Sequence, residues 1–202
     1  MKYLHPEILL NEANQEMCQI PLGEFFNDPK YHLTMEKWSA AKFGMGFARL
    51  VAPCLISVNP DQQDSADFFL KRENKAYRFQ NVEVIVKGRK RGEEYRKGVP
   101  VWNPATTQAR TKQSLGWVFD AIYKKVCKHY SDAKQLNLSV YLDFHANAFE
   151  RTELIAALIP IKDEFASIWC YSHTHICSVF SNPAIGEING WGQIHPDISN
   201  DI

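Results

Sequence analysis

The sequence predicts an α/β domain with a mixed central β-sheet flanked by helices. Three observations lead there. Apolar spacing switches between helical and strand periods along the chain, strands alternate with helices in the C-terminal half, and the composition is that of an ordinary globular protein. The 202 residues are 45% hydrophobic and 23% charged, enough for one sizeable core, so a single domain over residues 1–202 is expected. No apolar run approaches the roughly 18 residues that span a bilayer, so no membrane partner is expected.

Residues 6–18 show helical spacing through Ile8, Leu9, Ala13 and Met17, with Pro6 suited to a first turn. Residues 34–50 predict a second helix, N-capped by Thr34, with Trp38, Ala41, Phe43, Met45 and Phe47 on its apolar side. Gly44 and Gly46 count against it, each costing about 1 kcal/mol inside a helix. Three strands follow at 52–58, 67–71 and 77–86, the last two forming a hairpin around Glu73–Asn74–Lys75. A long helix is predicted from 107 to 130, with Leu115, Val118, Phe119, Ile122, Tyr123 and Val126 at core spacing. The remainder alternates: strand 138–144, helix 150–159 ended by Pro160, then strands 165–171 and 176–180. The predicted order is α-α-β-β-β-α-β-α-β-β, with at least partly parallel pairing. The polar tail after Trp191 is expected to fray.

The five cysteines are scattered and include no C-x-x-C pair, which fits a reduced compartment without structural zinc. The first residues lack an apolar signal core and a small-residue cleavage site, so a cytoplasmic location is expected.

Formal net charge is zero but strongly segregated. Residues 71–128 hold fifteen Lys and Arg against five Asp and Glu, whereas the segments on either side are acidic. A local positive potential of this size attracts polyanions. The block KGRKRGEEYRKG supplies Lys87, Arg89, Lys90, Arg91, Arg96 and Lys97, a density suited to phosphate contacts. Tyr95 and Trp102 are placed to stack on unpaired bases.

Just before this block lies SADFFLKRENKAYRFQNVEVIVKG. Asp67 opens one strand of the hairpin, and Gln80 and Glu83 lie on the next. A hairpin brings such groups to one edge of a sheet, where a hard divalent cation needs only a few oxygen ligands. A cation held there generates a hydroxide-like nucleophile and neutralises charge on a phosphodiester.

On these residues the chain resembles the PD-(D/E)XK, or restriction-endonuclease-like, nuclease superfamily over roughly residues 34–145. The residues beyond, 138–190, form a β-α-β extension. Asp67 matches the superfamily's aspartate and YRFQNVEVIVKG its third strand. Two departures stand out. Ala66 replaces the usual proline, and no E-x-K is present, since Ile85 lies two residues after Glu83 and Val82 two after Gln80. The resemblance implies a Mg²⁺-dependent (or Mn²⁺-dependent) endonuclease acting on DNA. Asp67 and Glu83 would be its metal ligands, Gln80 a third ligand or polariser, and Lys87 the stabilising cation. It also implies a homodimer, for which Trp191 and its aromatic neighbours are candidate contacts. The alternatives are a catalytically inactive nucleic-acid-binding protein on the same fold, and a protein-interaction module with a basic face. A second metal site is conceivable from Asp143, His145, His173 and His175, because alternate residues share one strand face.

Overall fold

Short turns pair strands as hairpins, and interposed helices force parallel crossovers. Both rules operate here within one seven-stranded sheet whose spatial order follows the chain. The strands are β1 (Leu55–Val58), β2 (Phe68–Arg72), β3 (Lys75–Val84), β4 (Leu136–Leu142), β5 (Ser167–Tyr171), β6 (His175–Phe180) and β7 (Gly192–Gln193). The helices are α1 (Pro6–Cys18), α2 (His32–Leu50), α3 (Thr111–Val126) and α4 (Arg151–Leu158). The computed structural model describes residues 1–21, 24–26, 28–61, 63–89, 93–94, 111–144 and 149–194, and for 111 and 112 the backbone alone. β1–β2–β3 and β5–β6–β7 pair antiparallel. Across α3 and α4 the pairings β3–β4 and β4–β5 are parallel. The fold is therefore mixed α/β, in the predicted element order with one strand added. None of the helices among the described residues is long and apolar enough to cross a membrane.

Each face of the sheet has its own core. On one face Phe43 and Phe47 of α2, with Leu9 of α1, cover Ile56, Phe68, Leu70, Phe79, Trp169 and Tyr171. On the other, Val118 and Ile122 of α3 and Leu154 and Leu158 of α4 cover Val82, Val84, the even-numbered residues of β4 from Leu136 to Leu142, and Cys170. β4 and β5 are buried on both faces, as expected of parallel strands. Their polar residues satisfy one another: Ser167 donates to Asn137 Oδ1 at 2.7 Å, Trp169 Nε1 to Ser167 Oγ at 2.9 Å, and Ser139 to Asn81 Oδ1 at 2.6 Å.

Three expectations change. Thr34 is not the N-cap of α2, which starts at His32; it lies inside the first turn and donates to Glu16 at 2.8 Å. The chain after Trp191 does not fray at once: Gly192 and Gln193 pair with Ile176 and His175, and Ile194 is buried against α2. An apolar Ile194 three residues past the predicted end supplies the burial that holds this strand. The glycines of α2 also acquire a reason. A Cβ at Gly44 would lie 2.8 Å from Ile56 Cγ1 and 3.0 Å from Pro6 Cγ, so only glycine lets α2 approach β1 and α1 this closely. Close packing outweighs helix propensity here.

Gly44→Ala should therefore destabilise the protein by about 1–2 kcal/mol in urea unfolding, although alanine is the better helix former, because overpacking exceeds the propensity gain. A rise in the unfolding midpoint would show that α2 has room to spare.

Candidate active site

The functional region follows from a mismatch in strand length. β2 pairs with β3 only as far as Phe68 opposite Phe79, whereas β3 continues along β4 to Val84 opposite Leu142. Among the described residues no strand covers the outer edge of β3 from Asn81 to Val84. Asp67 closes the step. Its backbone N–H donates to the Phe79 carbonyl at 2.8 Å. Its carboxylate accepts from the Asn81 N–H at 2.7 Å and from Gln80 Nε2 at 3.0 and 3.1 Å. The carboxylate thus takes the place of the next ladder carbonyl.

Around this bare edge opens a cavity of about 1270 Å³, lined from both faces of the sheet. The first two turns of α2 contribute His32, Met35, Glu36 and Ser39, at spacings that share one helix face. β3 contributes Gln80 and Val82 from the α3 side, and Asn81 and Glu83 from the α2 side. The end of α3 contributes Lys125, followed by Lys128 and Tyr130. Arg78 closes the far wall, bound to Asp64, to Asp132 at 2.8 Å and to the Ser65 hydroxyl at 2.9 Å.

Glu36, Asp67 and Lys125 form the electrostatic centre. Burial, and then repulsion from Asp67, raise the Glu36 acid from 4.5 to about 8, with Lys125 opposing the shift. Burial lowers the Lys125 ammonium below its ordinary value, and Asp67 and Glu36 pull it back up. The Tyr130 hydroxyl is raised by burial and then by Asp67 and Asp132. Asp67 thus acts on Glu36 and Lys125 alike, and Glu36 also meets His32 Nδ1 at 3.2 Å. Among the described residues the wider lining holds six acidic side chains, Glu36, Asp64, Asp67, Glu83, Asp132 and Asp143, and three cations, Arg78, Lys125 and Lys128.

The predicted residues divide. Asp67 and Gln80 are joined by side-chain hydrogen bonds, one residue past the last β2–β3 pair. Glu83 lines the same cavity from the other face of β3, where its charge is felt by Tyr171. Lys87 lies past the end of β3, exposed and outside the cavity lining. Arg89 is turned inward, 9% exposed, held by Asp143 and by Glu94 at 2.9 Å, so its charge is already matched by two carboxylates. Lys90, Arg91, Tyr95, Arg96, Lys97, Trp102 and His145 lie outside the described residues. His175 bonds to the Thr174 hydroxyl at 2.8 Å. Among the described residues no group of three or more His, Cys, Asp or Glu side chains is arranged to hold a metal. Trp191, the candidate dimer contact, donates to the Phe149 carbonyl at 3.2 Å within its own chain.

No protein-family model matches this chain, and neither does any curated protein or solved structure. The site is therefore argued from its own chemistry.

Sequence reading missed Glu36, and offered Lys125 only with Lys124 and Lys128 as a helical extension of the basic track. Lys125 had a legible signal: it lies three residues after Ile122 and seven after Val118, on the core stripe of α3, where a lysine is out of place unless it meets a carboxylate. Glu36 had a weaker one, sharing a helix face with His32, Met35 and Ser39. For an oxygen-seeking cation the donors are Asp67, Glu36 and Gln80. Gln80 Oε1 is buried and has no hydrogen-bond partner, while its amide nitrogen is held on Asp67. An orphaned amide oxygen in the same lining as Asp67 and Glu36 is the kind of donor a hard divalent ion takes, and such an ion keeps several of its waters.

Glu36→Gln should stabilise the protein in a pH-dependent way. Below about pH 4.5 the Glu36 carboxyl is protonated in both folded and unfolded chains, so the variants should match. As pH rises toward 8 the unfolded chain ionises while the folded one retains the proton, and the wild type loses stability. A gain of roughly 1–3 kcal/mol for Glu36→Gln at pH 8 is expected from urea unfolding in chelator. Equal stability of the two proteins across that range would mean that Glu36 is well solvated.

Proposed function

We propose that the protein is a metal-dependent nuclease that hydrolyses phosphodiester bonds in DNA, on a restriction-endonuclease-like fold. The observation that carries this reading is that Asp67, Gln80, Glu36 and Lys125 line one cavity, with Gln80 bonded to Asp67 and with Glu36 and Lys125 in its electrostatic reach. Asp67 and Gln80 came from the resemblance, and the lysine that the resemblance requires is supplied by α3 instead of β3. The element order α-α-β-β-β-α-β fits the same reading.

Asp67, Glu36 and the Gln80 amide oxygen would hold the cation. A magnesium ion in such a place lowers the pKa of a bound water and neutralises charge on the phosphate. The chain's own groups have separable tasks. Gln80 and the Asn81 N–H fix the Asp67 carboxylate in one orientation. Glu36 holds a proton at neutral pH until positive charge displaces it. Lys125, kept beside these acids and shielded from water, offers a cation to the anionic phosphate in a setting where one charge acts strongly.

The test is cleavage of single- and double-stranded DNA in magnesium, with Asp67→Asn, Glu36→Gln, Lys125→Met and Glu83→Gln alongside the wild type. Asp67→Asn and Lys125→Met should each lower the rate at least 100-fold, and Glu36→Gln should do so while raising stability. Glu83→Gln should lower it less than tenfold. A wild-type protein that binds DNA without metal-dependent cleavage would make this a binding protein on the same fold. A Glu83→Gln protein as inactive as Asp67→Asn would move the ligand set to the α2 side of β3.

A further inference from the structure

The acidic centre fills only one part of the cavity. A sphere of the cavity's volume is about 13 Å across, more than a phosphate and a hydrated cation occupy. The remainder lies on the α2 side of β3 and is walled by rings. Trp38 of α2 meets Tyr141 of β4 edge to face, with centroids 5.6 Å apart. Phe25 and Phe26, between α1 and α2, meet at 4.8 Å in the same manner. All four line the cavity and are half-exposed, so their ring surfaces are partly open to it. Lys42, itself buried, places its Nζ 5.7 Å from the Trp38 centroid and steadies that ring.

The depth of the carboxylates adds a steric constraint. Only 12% of the Glu36 side chain is exposed. The major groove of a B-form duplex is alone about 12 Å wide, so a whole duplex cannot enter a space of this size. A single nucleotide that leaves the base stack fits the space whole, bringing its phosphate toward Asp67 and Glu36, and its base then needs an apolar surface nearby. The aromatic wall lies in the same cavity, across the bare edge of β3.

We propose that the aromatic half of the cavity, Trp38 with Phe25, Phe26 and Tyr141, receives an unstacked base, and that the substrate is a single-stranded nucleic acid. This rests on the nuclease reading for its chemistry, but it is carried by cavity size and ring placement. Stacking is indifferent to base identity, so little sequence preference is expected from this wall.

The test is fluorescence anisotropy of labelled single-stranded and hairpin-duplex oligonucleotides, DNA and RNA, in calcium. Wild type should bind the single strand at least tenfold more tightly than the duplex. Trp38→Ala, and independently Phe26→Ala, should weaken single-strand binding tenfold or more and leave duplex binding unchanged, while Trp38→Phe should keep the preference. Far-UV circular dichroism of each variant separates lost stacking from lost folding, and Phe26→Ala and Trp38→Phe carry the test if Trp38→Ala unfolds. Equal affinity for both forms, no binding of either, or single-strand binding indifferent to Trp38 and Phe26 would overturn the proposal. Magnesium-dependent cleavage that ignores Trp38 and strandedness would refute the base pocket and leave the nuclease standing. Single-strand binding that needs Trp38, in a wild type that cleaves nothing, would do the reverse.

Discussion

A stretch of β3 whose outer edge no strand among the described residues covers governs everything at the site. A strand edge carries backbone donors and acceptors that must find partners, and β2 stops short of providing them beyond Phe68. The protein answers the first open donor with a side chain, the Asp67 carboxylate on the Asn81 N–H. That single bond fixes an anion at the rim of the sheet. It also holds Gln80 beneath that anion and leaves the gap through which both faces of the sheet contribute to one cavity. Were β2 three residues longer at its start, Glu36 and Lys125 would be separated by a continuous sheet.

From that constraint the charges follow. A buried carboxylate beside a second one is unfavourable unless protonated, paired or bridged by a cation. Glu36 is protonated near neutrality and Lys125 gives partial compensation. The neighbouring ion pairs isolate this centre. Arg78 is held between Asp64 and Asp132, and Arg89 between Asp143 and Glu94, so each guanidinium braces a wall. The positive density that stood out at 71–128 is therefore partly structural: two of its arginines are internal clamps, and a lysine on the α3 core stripe belongs to the acidic centre itself.

The polar row beneath the cavity has a related task. Ser139 donates to Asn81, Asn137 donates to the Arg78 carbonyl, and Ser167 ties Asn137 to Trp169. These bonds lock the mutual register of β3, β4 and β5 under the site. A buried network whose members are mutually bonded favours one arrangement over its slipped alternatives. Gln80 Oε1 lies next to this row, and it is left without a hydrogen-bond partner together with Asn81 Nδ2 and Arg78 Nε.

Periodicity and turn chemistry determined the element order of this protein, because local apolar spacing is set by which face must be buried. Every predicted helix and strand has a counterpart, with ends shifted by a few residues. Asp67 and Gln80 were legible for the same reason: hairpin register makes them partners across two neighbouring strands. Tertiary structure alone decided the rest. Which face of β3 looks toward α2 separated Glu83 from Gln80. The end of β3 at Val84 removed Lys87 from the site, and the packing of α2 and α3 brought in Glu36 and Lys125 from residues about 90 apart in the chain. Sequence spacing encodes contacts within a hairpin, but contacts between layers depend on how two cores stack on a common sheet.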